Sequence, residues 1–213
     1  MKHSFWLFGA LAGIGLGLVG CGGTNQGGTN GVGQGDIGDG VVTEALTEDL
    51  QFLREEEKLA RDVYTTLYGK WHLIQHNNIS RSEQTHTTRV AATLTSLGLE
   101  DPVQDDSVGV FVNPEFGKLY TDLVATGQQG ETQSLEVGAT IEDLDIRDIE
   151  QMKGRTDDAG VLAMYGSLQC GSRNHLRAYT SQLAVRGVTY TPKYLSQADF
   201  DAIVAGSHER CGP

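Results

Sequence analysis

Residues 80–90 read SRSEQTHTTRV and place Glu83 three residues before His86. Three residues along an α-helix correspond to a rotation of about 300°, so the two side chains lie one above the other on one face. The same face continues through Val90 and Leu94, which makes it the apolar side of the helix. A carboxylate and an imidazole on this side need a binding partner, because an unpaired buried charge is strongly destabilising.

The chain beyond Thr47 predicts an all-α domain built on four long helices. In four segments apolar residues recur at helical spacing, and most have a polar start or a glycine after the end. These segments cover about residues 47–69, 80–98, 134–153 and 157–186. Their connections are short, long and short, which is typical of a ferritin-like four-helix bundle with one long crossover. Shorter helices are expected at 115–125, in the crossover, and at 196–205, in a short C-terminal extension.

Each long segment carries polar residues near its middle on the side that faces the core. At helical spacing these are Glu56, Glu83, His86, Glu142, Asp145 and His175. Glu55 and Glu57 flank Glu56 and are predicted to lie outside the apolar stripe. Four carboxylates with two neutral imidazoles carry a charge of about −4, which two divalent cations would neutralise. Carboxylate-rich ligand sets favour iron or manganese over zinc, so the sequence predicts a dinuclear metal site, with Fe preferred and Mn possible.

Each of these residues also has an ordinary interpretation. A lone His175 is typical of a histidine satisfied within a core. Glu142 and Asp145 are typical of a solvated charged face, and Glu56 of a surface acidic run. For the set as a whole, the alternative is a metal-free hydrogen-bond network in an interaction domain.

Three tyrosines share faces with the predicted ligands and are candidates to support the site. They are Tyr64, Tyr165 and Tyr179. Each would donate a hydrogen bond or an electron, or would serve only as an amphipathic core aromatic.

Further polar residues lie close to the predicted site in the sequence. Arg173, Asn174 and Arg177 surround the last histidine and either support the ligands or face solvent. His72 and His76 follow the first helix four residues apart, as an accessory metal site or, in the interpretation we favour, as surface residues of a loop.

The start of the chain predicts export and lipid anchoring. The apolar run at residues 5–19 follows a basic start and is typical of a secretory signal. Small residues before Cys21 resemble the bacterial lipobox, which implies acylation of that cysteine in the cell envelope; an ordinary signal peptide is the alternative. We therefore expect a lipoprotein signal peptide at 1–20, a flexible Gly-rich tether at 21–43 and the helical domain at 44–213.

The net charge bears on the binding partners, and the cysteine content bears on disulfide formation. The net charge is −12 and the sequence has no basic run, which argues against nucleic acid as a partner. With Cys21 assigned to lipid, Cys170 and Cys211 remain and are expected to form a disulfide in an oxidising compartment, with two free thiols as the alternative.

Four stretches of the sequence resemble the DUF2202 family, which is placed among the ferritin-like proteins. They read EEEKLARDVY, SEQTHT, VGATIEDLDI and GSRNHLRAY. The resemblance implies a fold and a di-iron carboxylate site, with one Glu from each of two helices and a Glu-x-x-His from each of the other two. This chain departs from that pattern because Ser172 stands three residues before His175, while Glu142 and Asp145 form a carboxylate pair similar to rubrerythrin-type sites.

The resemblance implies no established reaction, but related di-iron centres react with oxygen or peroxide. We therefore expect an extracytoplasmic oxidoreductase of the ferroxidase or peroxide-reducing type. In such a centre Glu83 and Glu142 are the candidate bridging ligands, and Glu56 and Asp145 the terminal carboxylates. The electron donor would be external, because the sequence has no rubredoxin-like cysteine pairs. A metal-binding or storage module without turnover is the alternative function.

Overall fold

The computed structural model describes residues 42–212, which form six α-helices with no strand among them. The helices are α1 (Glu44–Trp71), α2 (Ile74–Ser96), α3 (Pro114–Gly127), α4 (Glu131–Lys153), α5 (Ala159–Val185) and α6 (Gln197–Ala205). The predicted all-α class is therefore confirmed. The predicted signal peptide, the lipid-bearing Cys21 and nearly all of the tether lie outside the described residues. Within these residues, no helix combines the length and apolar character needed to cross a membrane.

Side-chain caps start most of these helices. Thr43, Asp158 and Ser196 each accept a hydrogen bond from a backbone N–H in the first turn of α1, α5 and α6. Asn113 caps α3, whose first residue is Pro114, a position where proline costs no helical hydrogen bond.

The α1–α2 connection is shorter than the sequence pattern indicates. α1 ends where His72 takes a left-handed conformation with φ of 55°, and α2 already begins at Ile74. The sequence predicted this helix only from Ser80, because the segment QHNNI shows little apolar periodicity. The buried residues of this segment are His76 and Ile79. A histidine is not predicted to be a core residue from sequence, so the pattern was missed.

The four long helices pack in a ring around two apolar clusters. α1 packs on α2 and α4 on α5, and these pairs meet through α1 with α4 and α2 with α5. One cluster contains Leu67, Leu135 and Leu183, and the other Leu50 and Leu168, at the opposite end of the helices. The polar residues predicted from the sequence occur between these two clusters, at the middle of each helix.

Charged residues at the middle of α1 bind the long crossover, the segment that joins α2 to α4. Glu55 accepts hydrogen bonds from the backbone N–H groups of Val112 and Asn113, at 2.6 Å and 3.1 Å. Asp62 accepts one from Gly109 N and pairs with Lys58 Nζ at 2.5 Å. Glu55 is buried, so the prediction that it lies outside the core is wrong. Its partners come from a segment more than fifty residues away, and sequence periodicity cannot reveal them.

The segment after α5 is tied to the bundle at two places. The buried carboxylate of Asp143 accepts hydrogen bonds from Tyr190 Oη and from three consecutive backbone N–H groups, those of residues 193–195. Near the C-terminus, Cys170 and Cys211 form a disulfide with their Cα atoms 5.5 Å apart. The extension therefore lies against α4 and α5.

The structure predicts that Glu55→Gln destabilises the fold by about 1–3 kcal/mol, because the negative charge and one of the two acceptor oxygens that face the backbone N–H groups are lost. Chemical denaturation of the full-length protein measures the change. Glu48→Gln is the matched control, since Glu48 lies on the same helix but is exposed. Equal stabilities of the two variants would contradict a structural role for Glu55.

Candidate metal centre

The middle of the bundle brings buried carboxylates and imidazoles together in two groups of three. One group is formed by Glu57, Glu83 and His86, and the other by Glu83, Glu142 and His175. Within each group the potential ligand atoms lie within 4.8 Å of one another, and every residue is buried. Glu83 belongs to both groups, so its two oxygens connect them.

The distances show how Glu83 is shared. Its Oε2 lies 2.7 Å from Nδ1 of His86, and its Oε1 lies 2.7 Å from Nδ1 of His175. The outer carboxylates complete the groups, with Glu57 Oε2 at 3.1 Å from His86 Nδ1 and Glu142 Oε2 at 3.3 Å from His175 Nδ1. Both histidines therefore present Nδ1 to the carboxylates.

Several of these atoms lie close together without making proper hydrogen bonds. His175 Nδ1, Glu83 Oε1 and Glu57 Oε1 are buried, and none has a hydrogen bond of acceptable geometry. Buried polar atoms without partners are rare in folded proteins and require an explanation. Donor atoms that face a common space at short distance, without bonding to each other, have the arrangement of ligands around a cation.

The electrostatics of the centre follow from burial and from the carboxylate–imidazole contacts. Burial raises the pKa of Glu57 to about 7, against the opposing effect of His86. Burial would also raise the pKa of Glu83, but the charges of His175 and His86 hold it well below its usual range. In turn, burial would lower the pKa of His175, yet Glu83 and Glu142 raise it to about 10. The site therefore favours positive charge between its carboxylates.

Glu57 contributes to this centre, although it was predicted to lie outside the core. The whole run from Glu55 to Glu57 is buried, because α2 and α4 both pack on α1 while the crossover covers its remaining side. A prediction that assumes a single buried face on α1 therefore assigns only one residue of this run to the core. The sequence signal that could have identified Glu57 is its four-residue spacing from Leu53, which is fully buried.

The structure places Glu56 apart from the two groups of three. Burial, followed by the charges of Asp148 and Asp145, raises its pKa well above the usual range. Neither of its oxygens has a hydrogen bond of good geometry. Glu56 thus forms an acidic contact between α1 and α4, next to the centre.

Asp145 lies at the edge of the centre and is oriented by Ser172. Ser172 Oγ donates a hydrogen bond to Asp145 Oδ2 at 2.5 Å, while Asp145 Oδ1 is buried without a partner. The two residues come from α4 and α5. A carboxylate on α4 is thereby placed against α5, three residues before His175.

Two glycines let the helices approach closely at this level. A Cβ atom at Gly171 would lie 2.6 Å from His86 Nε2, and one at Gly138 would lie 2.5 Å from the ring of Tyr179. Any side chain at these positions would displace His86 or Tyr179, so both glycines are required by packing.

Two of the three predicted supporting tyrosines lie next to the centre. Tyr64 Oη donates a hydrogen bond to Glu142 Oε1 at 2.6 Å, and the Tyr179 ring lies 5.4 Å from the Tyr64 ring. Tyr165 is buried in the apolar cluster at the other end of the bundle, where Asp49 and Arg155 are its charged neighbours.

His76 is fully buried, so the interpretation of the His72–His76 pair as surface loop residues is wrong for His76. Its Nδ1 lies 3.1 Å from Tyr179 Oη and its Nε2 lies 3.2 Å from Ser134 Oγ. His72 is the exposed residue that ends α1. The two histidines take part in different structures and do not form a common metal site.

The polar residues around His175 hold the C-terminal segment. Arg173 and Arg177 both pair with Glu209, and Asn174 Nδ2 donates a hydrogen bond to the carbonyl oxygen of Glu209. They are half-buried, and their contacts are with the C-terminal segment rather than with the centre.

The fold and the site define an all-helical protein with a buried carboxylate–imidazole centre. Residues 47–207 match the family described as "Uncharacterized protein domain (DUF2202)", and the chain belongs to this family. The predicted DUF2202 resemblance is thus confirmed.

The chain is similar to the uncharacterized protein MJ0754 of Methanocaldococcus jannaschii. The two sequences are 48% identical over 169 residues, which covers 79% of this chain and 91% of the relative. The crystal structure of hypothetical protein MJ0754 from Methanococcus jannaschii matches with a TM-score of 0.80 and 46% identity, over 82% of this chain and 100% of that chain. The helical domain is therefore shared with this relative.

We expect His76→Asn to change how stability depends on pH. Burial lowers the pKa of His76 from 6.5 to about 4. The unfolded chain therefore binds a proton below pH 6.5 that the folded protein takes up only near pH 4. The stability that His76 gives relative to the asparagine variant should be complete above pH 6.5 and should fall by about 3 kcal/mol on acidification to pH 4. Denaturant unfolding of both metal-free proteins measures the difference, and a constant difference across this range would contradict a neutral buried His76.

Proposed function

We propose that this protein binds two divalent metal ions at the centre of a ferritin-like bundle and acts as an oxidoreductase toward oxygen or peroxide. Iron is the preferred metal and manganese the alternative. The observation that carries the proposal is the sharing of Glu83 between two buried groups of three ligands, each with an outer carboxylate and an imidazole.

The donor set fits a pair of divalent ions. Glu57, Glu83 and Glu142 supply three negative charges, and Asp145 adds a fourth at the edge of the centre. Two divalent ions would balance these charges while His86 and His175 remain neutral ligands. Carboxylate oxygens with some imidazole are the ligands that iron and manganese prefer, and the described part of the centre includes no cysteine.

The arrangement on the helices supports a ferritin-like interpretation. In ferritin-like carboxylate proteins two helices give one Glu each and two give Glu-x-x-His. Glu57 on α1, Glu142 on α4 and the Glu83–His86 pair on α2 correspond to three of these contributions. On α5 Ser172 replaces the fourth glutamate, but its hydroxyl holds Asp145, which supplies a carboxylate from α4 instead.

Metal ions in such a site would supply redox chemistry with oxygen or peroxide. The chain's own residues would orient and enclose the site. Tyr64 fixes Glu142 through its hydroxyl, and Ser82 Oγ lies 2.9 Å from His175 Nε2, so that Nδ1 of this histidine faces Glu83. The apolar clusters on either side would keep bulk water away from the ligands.

An anchored location in the cell envelope is part of the proposal. Its support is the N-terminal sequence, with an apolar run that ends at Cys21 and a Gly-rich segment that would separate the domain from the membrane. The expected partners are the membrane, through the lipid, and an external electron donor.

A storage or binding module without turnover is the second candidate. It needs the same ligands but no access for an electron donor. The metal-free interaction domain has less support, because a hydrogen-bond network would give His175 Nδ1, Glu83 Oε1 and Glu57 Oε1 partners of good geometry.

Metal analysis of the full-length protein after expression with ample iron tests the ligand assignment. We expect about two divalent ions per chain, as the two groups sharing Glu83 require. Glu83→Ala should lose both ions, because this residue serves both groups. Glu57→Gln should lose one ion and Glu56→Gln none, because only Glu57 lies within the groups.

The two adjacent glutamates form a matched pair, since both are buried on α1. Loss of metal from Glu56→Gln with full retention in Glu57→Gln would overturn the assignment. Absence of stoichiometric metal in the wild type would overturn the proposed function itself.

Metal loading and turnover separate the two candidate functions. If free metal is present at about 100 times the Kd of the folded state, its removal by a chelator should lower the free energy of unfolding by about 2.7 kcal/mol. An oxidoreductase should in addition consume oxygen or peroxide when supplied with a reductant, and the Glu83→Ala variant should not. Chelator-sensitive stability without such consumption would favour storage.

A further inference from the structure

Tyr64, His76 and Tyr179 form a buried aromatic group beside the centre. They come from α1, α2 and α5, and each is 0% exposed. The ring of Tyr64 lies 5.4 Å from that of Tyr179 and 5.9 Å from that of His76, and the rings of His76 and Tyr179 are 5.5 Å apart. Core packing alone does not need two phenols and an imidazole, because all three bury polar atoms that then require partners.

The hydrogen bonds around His76 fix which nitrogen carries the proton. Ser134 Oγ donates its one hydrogen to the carbonyl oxygen of Glu131 at 2.8 Å. Towards His76 Nε2 the hydroxyl can therefore only accept, so Nε2 bears the hydrogen. Nδ1 of the neutral ring then has a free lone pair, and Tyr179 Oη, 3.1 Å away, donates to it. The phenol proton of Tyr179 already points at a base.

The same group reaches the metal centre through Tyr64. Its hydroxyl donates to Glu142, and its ring lies against Tyr179. Gly138 permits this contact, because a side chain there would occupy the space of the Tyr179 ring. Aromatic contacts thus run without a break from His76 to a carboxylate of the centre.

We propose that Tyr179 and His76 form a buried redox pair in which the phenol gives up one electron and passes its proton to the histidine. The O–H bond of Tyr179 breaks, a new N–H bond forms at His76 Nδ1, and the products are a neutral tyrosyl radical and an imidazolium. The electron leaves by way of Tyr64 toward the centre, where hydrogen peroxide is the terminal oxidant. The physiological oxidant is the only part of this inference that rests on the proposed function.

Reduction of the oxidant needs a second electron donor besides Tyr179. Reduction of hydrogen peroxide to two water molecules takes two electrons and two protons. Tyr179 gives one electron and a reduced metal ion at the centre gives the other, while both protons come from solvent. When an external one-electron reductant restores Tyr179, His76 returns the phenol proton.

The surroundings require the proton and the electron to move together. Burial raises the pKa of Tyr179 well above its usual range and lowers that of His76 to about 4, so neither group ionises on its own at neutral pH. An oxidised phenol is a far stronger acid than the phenol itself, so the proton passes to His76 as the electron leaves. Because burial disfavours a charged His76, the imidazolium is transient and returns its proton when Tyr179 is reduced.

Electron paramagnetic resonance of the full-length protein tests the pair in its metal-loaded form. Ferrous-iron-loaded protein is mixed with hydrogen peroxide and frozen at successive times. We expect a tyrosyl signal that narrows when ring-deuterated tyrosine is incorporated and that disappears in Tyr179→Phe. Tyr165→Phe is the matched control, since Tyr165 is equally buried on the same helix but lies in the other apolar cluster. It should retain the signal.

A second arm uses metal-free protein and does not depend on the proposed function. A ruthenium photosensitiser with a sacrificial electron acceptor oxidises tyrosines by one electron after a light flash. The part of the tyrosyl radical signal that comes from Tyr179 is the difference between the signals of wild type and Tyr179→Phe. We expect His76→Asn to slow its formation by about a hundredfold through loss of the positioned base.

The outcomes are distinct. If no metal binds, the proposed function fails and the photochemical arm alone decides the redox pair. If metal binds and peroxide is consumed, but Tyr179→Phe leaves the radical signal unchanged, the redox pair fails and the proposed function stands. A Tyr179 radical that forms at the same rate in wild type and His76→Asn would also overturn the pair, since a purely structural histidine changes stability without changing that rate.

Discussion

The structure depends on the position of Glu83, whose buried carboxylate lies between the imidazoles of His86 and His175. Its desolvation is offset only while both rings remain at this distance or a bound cation neutralises its charge. Glu83 and His86 lie on α2 and His175 on α5, so the contact between Glu83 and His175 fixes the separation and rotation of these two helices. Glu57 and Glu142 extend the same constraint to α1 and α4. Contacts within this one polar layer thus fix the relative positions of all four long helices.

This layer divides the hydrophobic core. One apolar cluster fills each end of the bundle, and the charged groups lie between them. The arrangement gives the helices apolar contacts on both sides of the centre and keeps the carboxylates in a region of low dielectric, where their interactions with any cation are strong. Gly138 and Gly171 permit the close helix approach that the layer requires.

Four residues show why the candidate site and its surroundings could be predicted only in part. Glu83 and His86 were recognisable because one helix presents them at a spacing of three on an apolar stripe. Glu57 was missed, because α1 is covered on nearly every side and its buried surface is wider than a single stripe. His76 was missed because its partners, Tyr179 and Ser134, come from helices distant in sequence. Periodicity reports one helix at a time and contains no information about such partners.

The sequence by itself determined the all-α class, the four long helices, the long crossover and the presence of polar groups at the middle of the core. These follow from local periodicity and from the cost of burying charge, which act within each helix. Only the tertiary structure decided that Glu57 joins the centre, that Glu56 lies beside it, and that Asp145 is held by Ser172. The physical reason is that ligand geometry depends on the rotation and separation of packed helices, and one residue along a helix turns a side chain by about 100°.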